Sequence, residues 1–129
     1  MSRWYLDTSA ALKLLVEEAE SEALAALVDT QQPDLAACCL LETELRRAAQ
    51  REVPLTQLTV TTFLETIDLY EVPPSMFAEA GLIPGPTLLS LDALHLAGAI
   101  RIGVTHLLTY DARMADAAQR LGIPVLSPT

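Results

Sequence analysis

An α/β domain, with a parallel sheet covered by helices, is the fold class this sequence predicts. Three observations carry that expectation. Short apolar runs of strand length alternate with longer stretches of helical period. Cap and turn residues punctuate the runs at the places where each element should begin or stop. The 129 residues form one domain's worth of chain, residues 1–129, enough to enclose a two- or three-layer core with no obvious linker inside it.

The elements follow in order. Arg3 to Asp7 reads as a first strand. Thr8 or Ser9 caps a helix carrying Leu12, Leu15 and Val16. Ser21 opens a second helix with Leu24, Leu27 and Val28 at helical spacing. Pro33 and Asp34 turn the chain into a short strand, Leu35 to Cys38. Leu41 to Arg51 is helical and Pro54 stops it. Thr56 to Thr66 is a further helix despite its β-branched residues. Ile67 to Val72 is a strand closed by Pro73 and Pro74, and a short helix spans Ser75 to Gly81. Ile83 to Thr87 is loop. Ser90 caps a nearly all-apolar helix that runs to Ile102, and Gly103 closes it. Thr105 to Tyr110 is a strand, Asp111 to Leu121 a helix stopped by Gly122, and Pro124 to Leu126 a last short strand.

Open parallel sheets bind ligands at the carboxyl ends of their strands, near the point where strand order reverses. Several acids fall there. Asp7 ends the first strand and Asp111 ends the strand Thr105 to Tyr110. Asp92 lies in the first turn of the helix that Ser90 caps, and Glu44 on the helix after the strand Leu35 to Cys38. Asp116 lies just over one turn beyond Asp111. Crowded carboxylates repel one another and raise their pKa values, a strain that a cation relieves. Magnesium takes oxygen ligands and keeps several waters, so a few carboxylates suffice to hold it. Phosphodiester cleavage would give such a site a purpose, because water must be deprotonated while charge builds on the phosphate.

Rotation by about 100° per residue separates the two acids of the helix Leu41 to Arg51. Leu41, Leu45 and Ala48 form its buried face, Glu44 sits at the edge of that face, and Glu42 points away, placed to pair with Arg46. Arg47 and Arg51 share the Glu44 flank, and arginine suits paired hydrogen bonding to phosphate. Each residue also has a plainer use. Asp92 and Asp111 could serve only as helix-start carboxylates, and Asp7 as a turn residue. Glu44 could pair with Arg47 on a solvated flank, and Asp116 could be merely exposed. His95 shares a stripe with Leu91, Gly98 and Ile102 and reads as a core histidine rather than a ligand. The weight lies in the convergence of the acids on one sheet edge.

Composition sets further bounds. Acids outnumber bases 17 to 8, a net charge of −9, which repels nucleic acid at long range. An RNA substrate would need that field reversed locally, by divalent cations and a few arginines. Hydrophobic residues make up 51% of the chain and mean hydropathy is +0.33, an apolar surplus that suits burial against another chain. Apolar stretches are broken by charge before membrane-spanning length and no leader pattern opens the chain, so a soluble cytoplasmic protein is expected. Cys38 and Cys39 are adjacent, without a CxxC or a Cys/His cluster, and read as reduced, small core residues.

Four segments resemble one family. Tyr5-Leu6-Asp7-Thr8-Ser9-Ala10 resembles the opening of PIN domains of the VapC toxin type. Glu44-Leu45-Arg46-Arg47-Ala48 resembles their second acidic motif, and Ser90-Leu91-Asp92-Ala93-Leu94-His95-Leu96-Ala97 their third and most specific one. Leu108-Thr109-Tyr110-Asp111, with Asp116, Gly122 and Pro124, resembles their closing segment. The resemblance implies a three-layer αβα PIN-like domain with a four- to five-stranded parallel sheet. It implies an endoribonuclease dependent on magnesium or manganese, toxic to its own cell. Asp7, Glu44, Asp92 and Asp111 match the family's acidic quartet and Asp116 a more variable fifth acid. Such toxins are typically homodimers silenced by a small antitoxin whose tail enters the acidic groove. Many relatives carry Arg where Leu89 stands here, so one basic contact to RNA or antitoxin is expected to be missing.

Two other classes compete. The fold could be an interaction module whose acidic groove receives a basic peptide. A haloacid-type phosphatase or a phospho-receiver also places Asp after a parallel strand. The first wants an Asp where Ser9 stands, and the second a late Lys, whereas Lys13 is the only lysine.

Overall fold

The computed structural model describes residues 2–129. Five strands form one sheet: β1 (Arg3–Leu6), β2 (Asp34–Cys38), β3 (Asp68–Tyr70), β4 (His106–Leu108) and β5 (Val125–Leu126). All pairings are parallel and the order is β3-β2-β1-β4-β5. Seven helices connect them: α1 (Thr8–Leu15), α2 (Ser21–Gln31), α3 (Leu40–Arg51), α4 (Gln57–Leu64), α5 (Ser75–Gly81), α6 (Ser90–Ile102) and α7 (Ala112–Arg120). The main helix–helix contacts join α1 to α4 into one group and α5 to α7 into another, and the sheet lies between them. The expected three-layer αβα architecture is what the chain adopts.

From β1 the sheet grows one way through β2 and β3 and the other way through β4 and β5. The switch in direction therefore falls between β1 and β4, whose register pairs Leu6 with Leu108. At that point the loops above the two strands must part, leaving a crevice at their carboxyl ends. Both faces of β1 are covered, which is why Trp4, Tyr5 and Leu6 are all buried without alternation. On α3 the buried residues are Leu41, Leu45 and Ala48, the stripe read from the sequence. Helix α6 buries seven consecutive residues, Ala93 to Ala99. A helix so enclosed must carry small residues where it meets the sheet. Gly98 is such a place: a Cβ there would stand 3.3 Å from the Tyr5 hydroxyl oxygen and 3.4 Å from Cys38 Cβ.

Several boundaries differ from those expected. Strands β3 and β4 are shorter than Ile67–Val72 and Thr105–Tyr110, because ladder pairing ends at Tyr70 and Leu108. Past Leu108 the chain turns its polar groups toward caps. Asp7 itself, rather than Thr8 or Ser9, caps α1, accepting from the Ala10 N–H. Ser90 lies inside α6 and the capping position is Leu89, which makes no side-chain cap bond. Asp111 caps α7 from outside the helix. Gly103 ends α6 at φ 73°, the left-handed conformation that glycine adopts without strain. Cys38 is a buried thiol as expected, but Cys39 is exposed: it lies beyond the strand end, at the cap of α3. Among the described residues no helix is long and apolar enough to cross a membrane.

Candidate active site

The site is assembled at the switch between β1 and β4. Asp7 follows β1 directly and is 3% exposed. Its Oδ1 accepts from the Ala10 N–H at 2.9 Å and from the Ser9 hydroxyl at 2.7 Å. The Thr109 hydroxyl donates to Oδ2. Burial raises the Asp7 carboxyl above its ordinary range, and the bonds from Thr109, Ala10 and Ser9 offset that only in part.

Thr109, fully buried at the end of β4, is a junction. Its hydroxyl oxygen also accepts the Asp111 N–H at 3.1 Å. The neighbouring Tyr110 N–H donates to Ser9 Oγ at 2.9 Å. Asp111 then caps α7 by accepting the Met114 N–H at 2.9 Å. The same carboxylate thus starts a helix and stands at the site, so its capping use and its functional use do not compete.

Asp92, in the first turn of α6, is half-buried. Its carboxyl is raised, first by burial and next by the charge of Asp111, with Asp7 and Glu44 adding and His95 opposing. The other three acids of the expected quartet therefore all act on Asp92. Like charges gathered this way raise the energy of the ionised set.

Glu44 is the inward acid of α3, as the rotation argument requires. Glu42 instead pairs with Arg46 at 2.9 Å, and Arg46 continues to Gln57 and Thr61, tying α3 to α4. Glu44 does not pair with Arg47. Its Oε1 accepts from the Thr8 hydroxyl at 2.8 Å and meets His95 Nε2 at 2.5 Å. Burial would raise this carboxyl, but the bond and charge of His95 and the bond from Thr8 hold it below its ordinary value.

His95 is 1% exposed. Its Nδ1 lies 2.7 Å from the Tyr5 hydroxyl and 3.7 Å from Cys38 Sγ. Burial acts to discharge the ring, yet its bonds to Cys38 and Glu44 raise its pKa to about 10. The expectation of a buried, satisfied histidine holds, and its partner is an acid of the site, which the apolar stripe of α6 does not reveal.

Arg47 and Arg51 are exposed, and among the described residues neither has an ion-pair partner. Asp116 is exposed and pairs with Arg120 at 3.1 Å, one turn along α7. The donors Thr8, Ser9 and Thr109 lie inside two of the segments that carry the family resemblance, yet nothing in those segments shows that they bond to Glu44 and Asp7. The signal that could have found them is position, each lying within two residues of Asp7 or Asp111. Among the described residues no three acid, histidine or cysteine side chains close into a ready-made set of metal ligands. Oxygen donors spread over four elements, with mutual repulsion at Asp92, fit a hard cation that keeps much of its water.

Comparison with known proteins gives the geometry its relatives. A family model described as the PIN domain matches residues 4–120. Ribonuclease VapC35 of Mycobacterium tuberculosis is 38% identical over 129 residues, covering 96% of either chain. Ribonuclease VapC46 of the same organism is 38% identical over 131 residues, covering 100% of both. The fold is shared with a toxin–antitoxin complex from Klebsiella pneumoniae, with a TM-score of 0.72 at 19% identity and 97% of each chain covered.

Proposed function

The chain belongs to the PIN-domain family, and from that premise we propose that it is a metal-dependent endoribonuclease, the toxin of a type II toxin–antitoxin pair. The observation that carries this reading is that the charges of Asp111, Asp7 and Glu44, from three other places in the chain, all bear on Asp92. The names of two relatives at 38% identity, both ribonucleases, support the reaction class.

Asp7, Asp92 and Asp111 would hold the ion, Mg2+ or Mn2+. When bound, such an ion supplies acidification of water and neutralisation of charge at the phosphate. The protein's own residues do the rest. Asp7, locked by three donors, gives a carboxylate that cannot swing away. Glu44 keeps one oxygen outside its bonds to Thr8 and His95, and this oxygen accepts a hydrogen bond from the attacking water and orients it. Arg47 and Arg51, exposed and without an ion-pair partner among the described residues, hold phosphates of the RNA to either side. They supply locally the positive charge that the chain lacks as a whole.

Two partners belong to this reading. One is a small antitoxin whose tail enters the acidic groove, supported by the shared fold with a toxin–antitoxin complex. The other is a second copy of the chain. Phe77, Leu82, Leu89, Leu91 and Ile100 are large, apolar and exposed on and beside α5 and α6, the kind of surface that another chain covers. Leu89, where many relatives carry arginine, adds to that apolar surface instead of contacting RNA. The place of action is the cytoplasm.

The test is cleavage of structured RNA by the purified protein with and without Mg2+ or Mn2+. Asp7→Asn and Asp92→Asn should abolish cleavage. Full activity in a folded Asp92→Asn protein would overturn the proposal.

A further inference from the structure

We propose that His95 is a positioning residue for RNA cleavage, acting through Glu44: with Thr8 it fixes one oxygen of that carboxylate and leaves the other to the reaction. The proposal rests on the ribonuclease reading above and goes beyond it.

Geometry first excludes the direct roles. His95 is 1% exposed and both ring nitrogens are engaged, Nε2 with Glu44 at 2.5 Å and Nδ1 with the Tyr5 hydroxyl at 2.7 Å. A ring so placed can neither reach RNA nor offer a lone pair to an ion. What it can do is hold. The Tyr5 hydroxyl is fixed in turn, accepting the Cys38 N–H at 3.0 Å and lying 3.1 Å from Cys38 Sγ. The two rings pack edge to face, with centroids 5.7 Å apart. The absence of a side chain at Gly98, one turn along α6, is what lets the Tyr5 hydroxyl come this close. A chain of contacts thus runs from the backbone of β2 through β1 and α6 to Glu44 on α3.

The consequence is an asymmetric carboxylate. Both bonds to Glu44 land on Oε1, and among the described residues no protein hydrogen bond reaches Oε2. A glutamate on a helix has three rotatable bonds, and an untethered one would sample many placements. Donors on one oxygen select a single placement and aim the other oxygen. The chain also tolerates either charge state of the ring, since the Tyr5 hydroxyl can accept from Nδ1 or donate to it.

The experiment compares His95→Ala, His95→Gln, Glu44→Ala and the double variant Glu44→Ala/His95→Ala in the full chain, on one RNA with Mn2+. His95→Ala should lower kcat by about 100-fold, the scale of a misplaced reacting group, with KM unchanged. His95→Gln, whose amide N–H can still donate to Glu44, should recover most of that loss. In the Glu44→Ala background, His95→Ala should cause no further drop. A second readout needs neither metal nor activity: the His95 imidazole N–H resonance of the metal-free protein should exchange slowly, and Glu44→Ala should abolish that protection. Undiminished kcat in His95→Ala, an equal drop in both backgrounds, or protection that survives Glu44→Ala would overturn the proposal. The resonance decides alone if His95→Ala does not fold. Wild-type protein inert toward RNA would sink the ribonuclease reading, while protection lost in Glu44→Ala would still show the coupling.

Discussion

The Thr109 hydroxyl donates to Asp7 Oδ2 across the switch between β4 and β1, 102 residues apart in the chain. The Thr109 hydroxyl oxygen in turn accepts the Asp111 N–H, so one small side chain orders two acids of the site. Thr109→Val keeps the shape and removes both bonds. It should destabilise the protein by about 1–3 kcal/mol, the cost of leaving buried polar groups unpaired, and lower RNA cleavage. Urea denaturation and a cleavage assay on the same preparation check this, and Thr109→Ser should retain more of both properties.

Stability and activity should part company at Asp92. Its carboxyl is raised by burial and then by Asp111, so its ionised form strains the metal-free fold. Asp92→Asn removes that charge. The melting temperature without metal should rise, while cleavage is abolished, because the variant loses a carboxylate proposed to hold the ion. Asp7→Asn should differ, because an amide nitrogen placed against Ser9 or Thr109 upsets the donors around a buried group, and its melting temperature should fall.

The dependence on pH follows from the same two acids. Both carboxyls are raised in the folded state, so between the ordinary value of 3.8 and the raised ones the native protein binds more protons than the unfolded chain. Their contribution to stability therefore declines as pH rises through that window, and is at its least favourable above it. Glu44 works oppositely: its lowered carboxyl stabilises above its ordinary 4.5 and loses that effect as pH falls through the depressed value. Melting curves from pH 3 to 8 should show the gain from Asp92→Asn growing toward neutrality. Metal should have to displace protons, so the Mg2+ or Mn2+ needed for half-maximal cleavage should increase in acid.

Arg47→Glu and Arg51→Glu should leave melting temperature nearly unchanged, within about 0.5 kcal/mol of stability for exposed positions. Both should raise KM for RNA more than they lower kcat. The slope of log affinity against log salt should shrink by about one for each phosphate that the variant no longer holds.

Phe77→Asp and Leu82→Asp should weaken self-association, read by sedimentation against protein concentration. A fully monomeric wild-type chain at tens of micromolar would contradict a homodimer built on this surface.

Much of this molecule can be read from its residues. The strands and helices follow from alternation and caps; the placement of Asp7 and Asp111 follows from where strands stop, and that of Asp92 from where α6 starts. Separating Glu42 from Glu44 needs only helix geometry. Less legible is anything that depends on contact between distant elements. His95 sits among apolar neighbours on α6, and a periodicity argument ranks it as core; only the fold brings Glu44 of α3 against it. Thr109 looks like an ordinary strand residue until β1 and β4 lie side by side. The caps of α1 and α6 fall one residue or more before the expected positions for a related reason. Asp7 and Ser9 both have cap chemistry, and local sequence does not decide which backbone turns first.

Strand β1 is the middle of the sheet and also the first to be synthesised. Its neighbour β4, which leads to Asp111, follows only after β2, β3 and six of the helices. A ribosome must therefore add the whole stretch from β1 through β4 before the pocket can close around Asp7. Chains cut between Glu44 and β4 carry the first two acids but no partner strand to order them, and chains truncated before Thr109 should cleave no RNA.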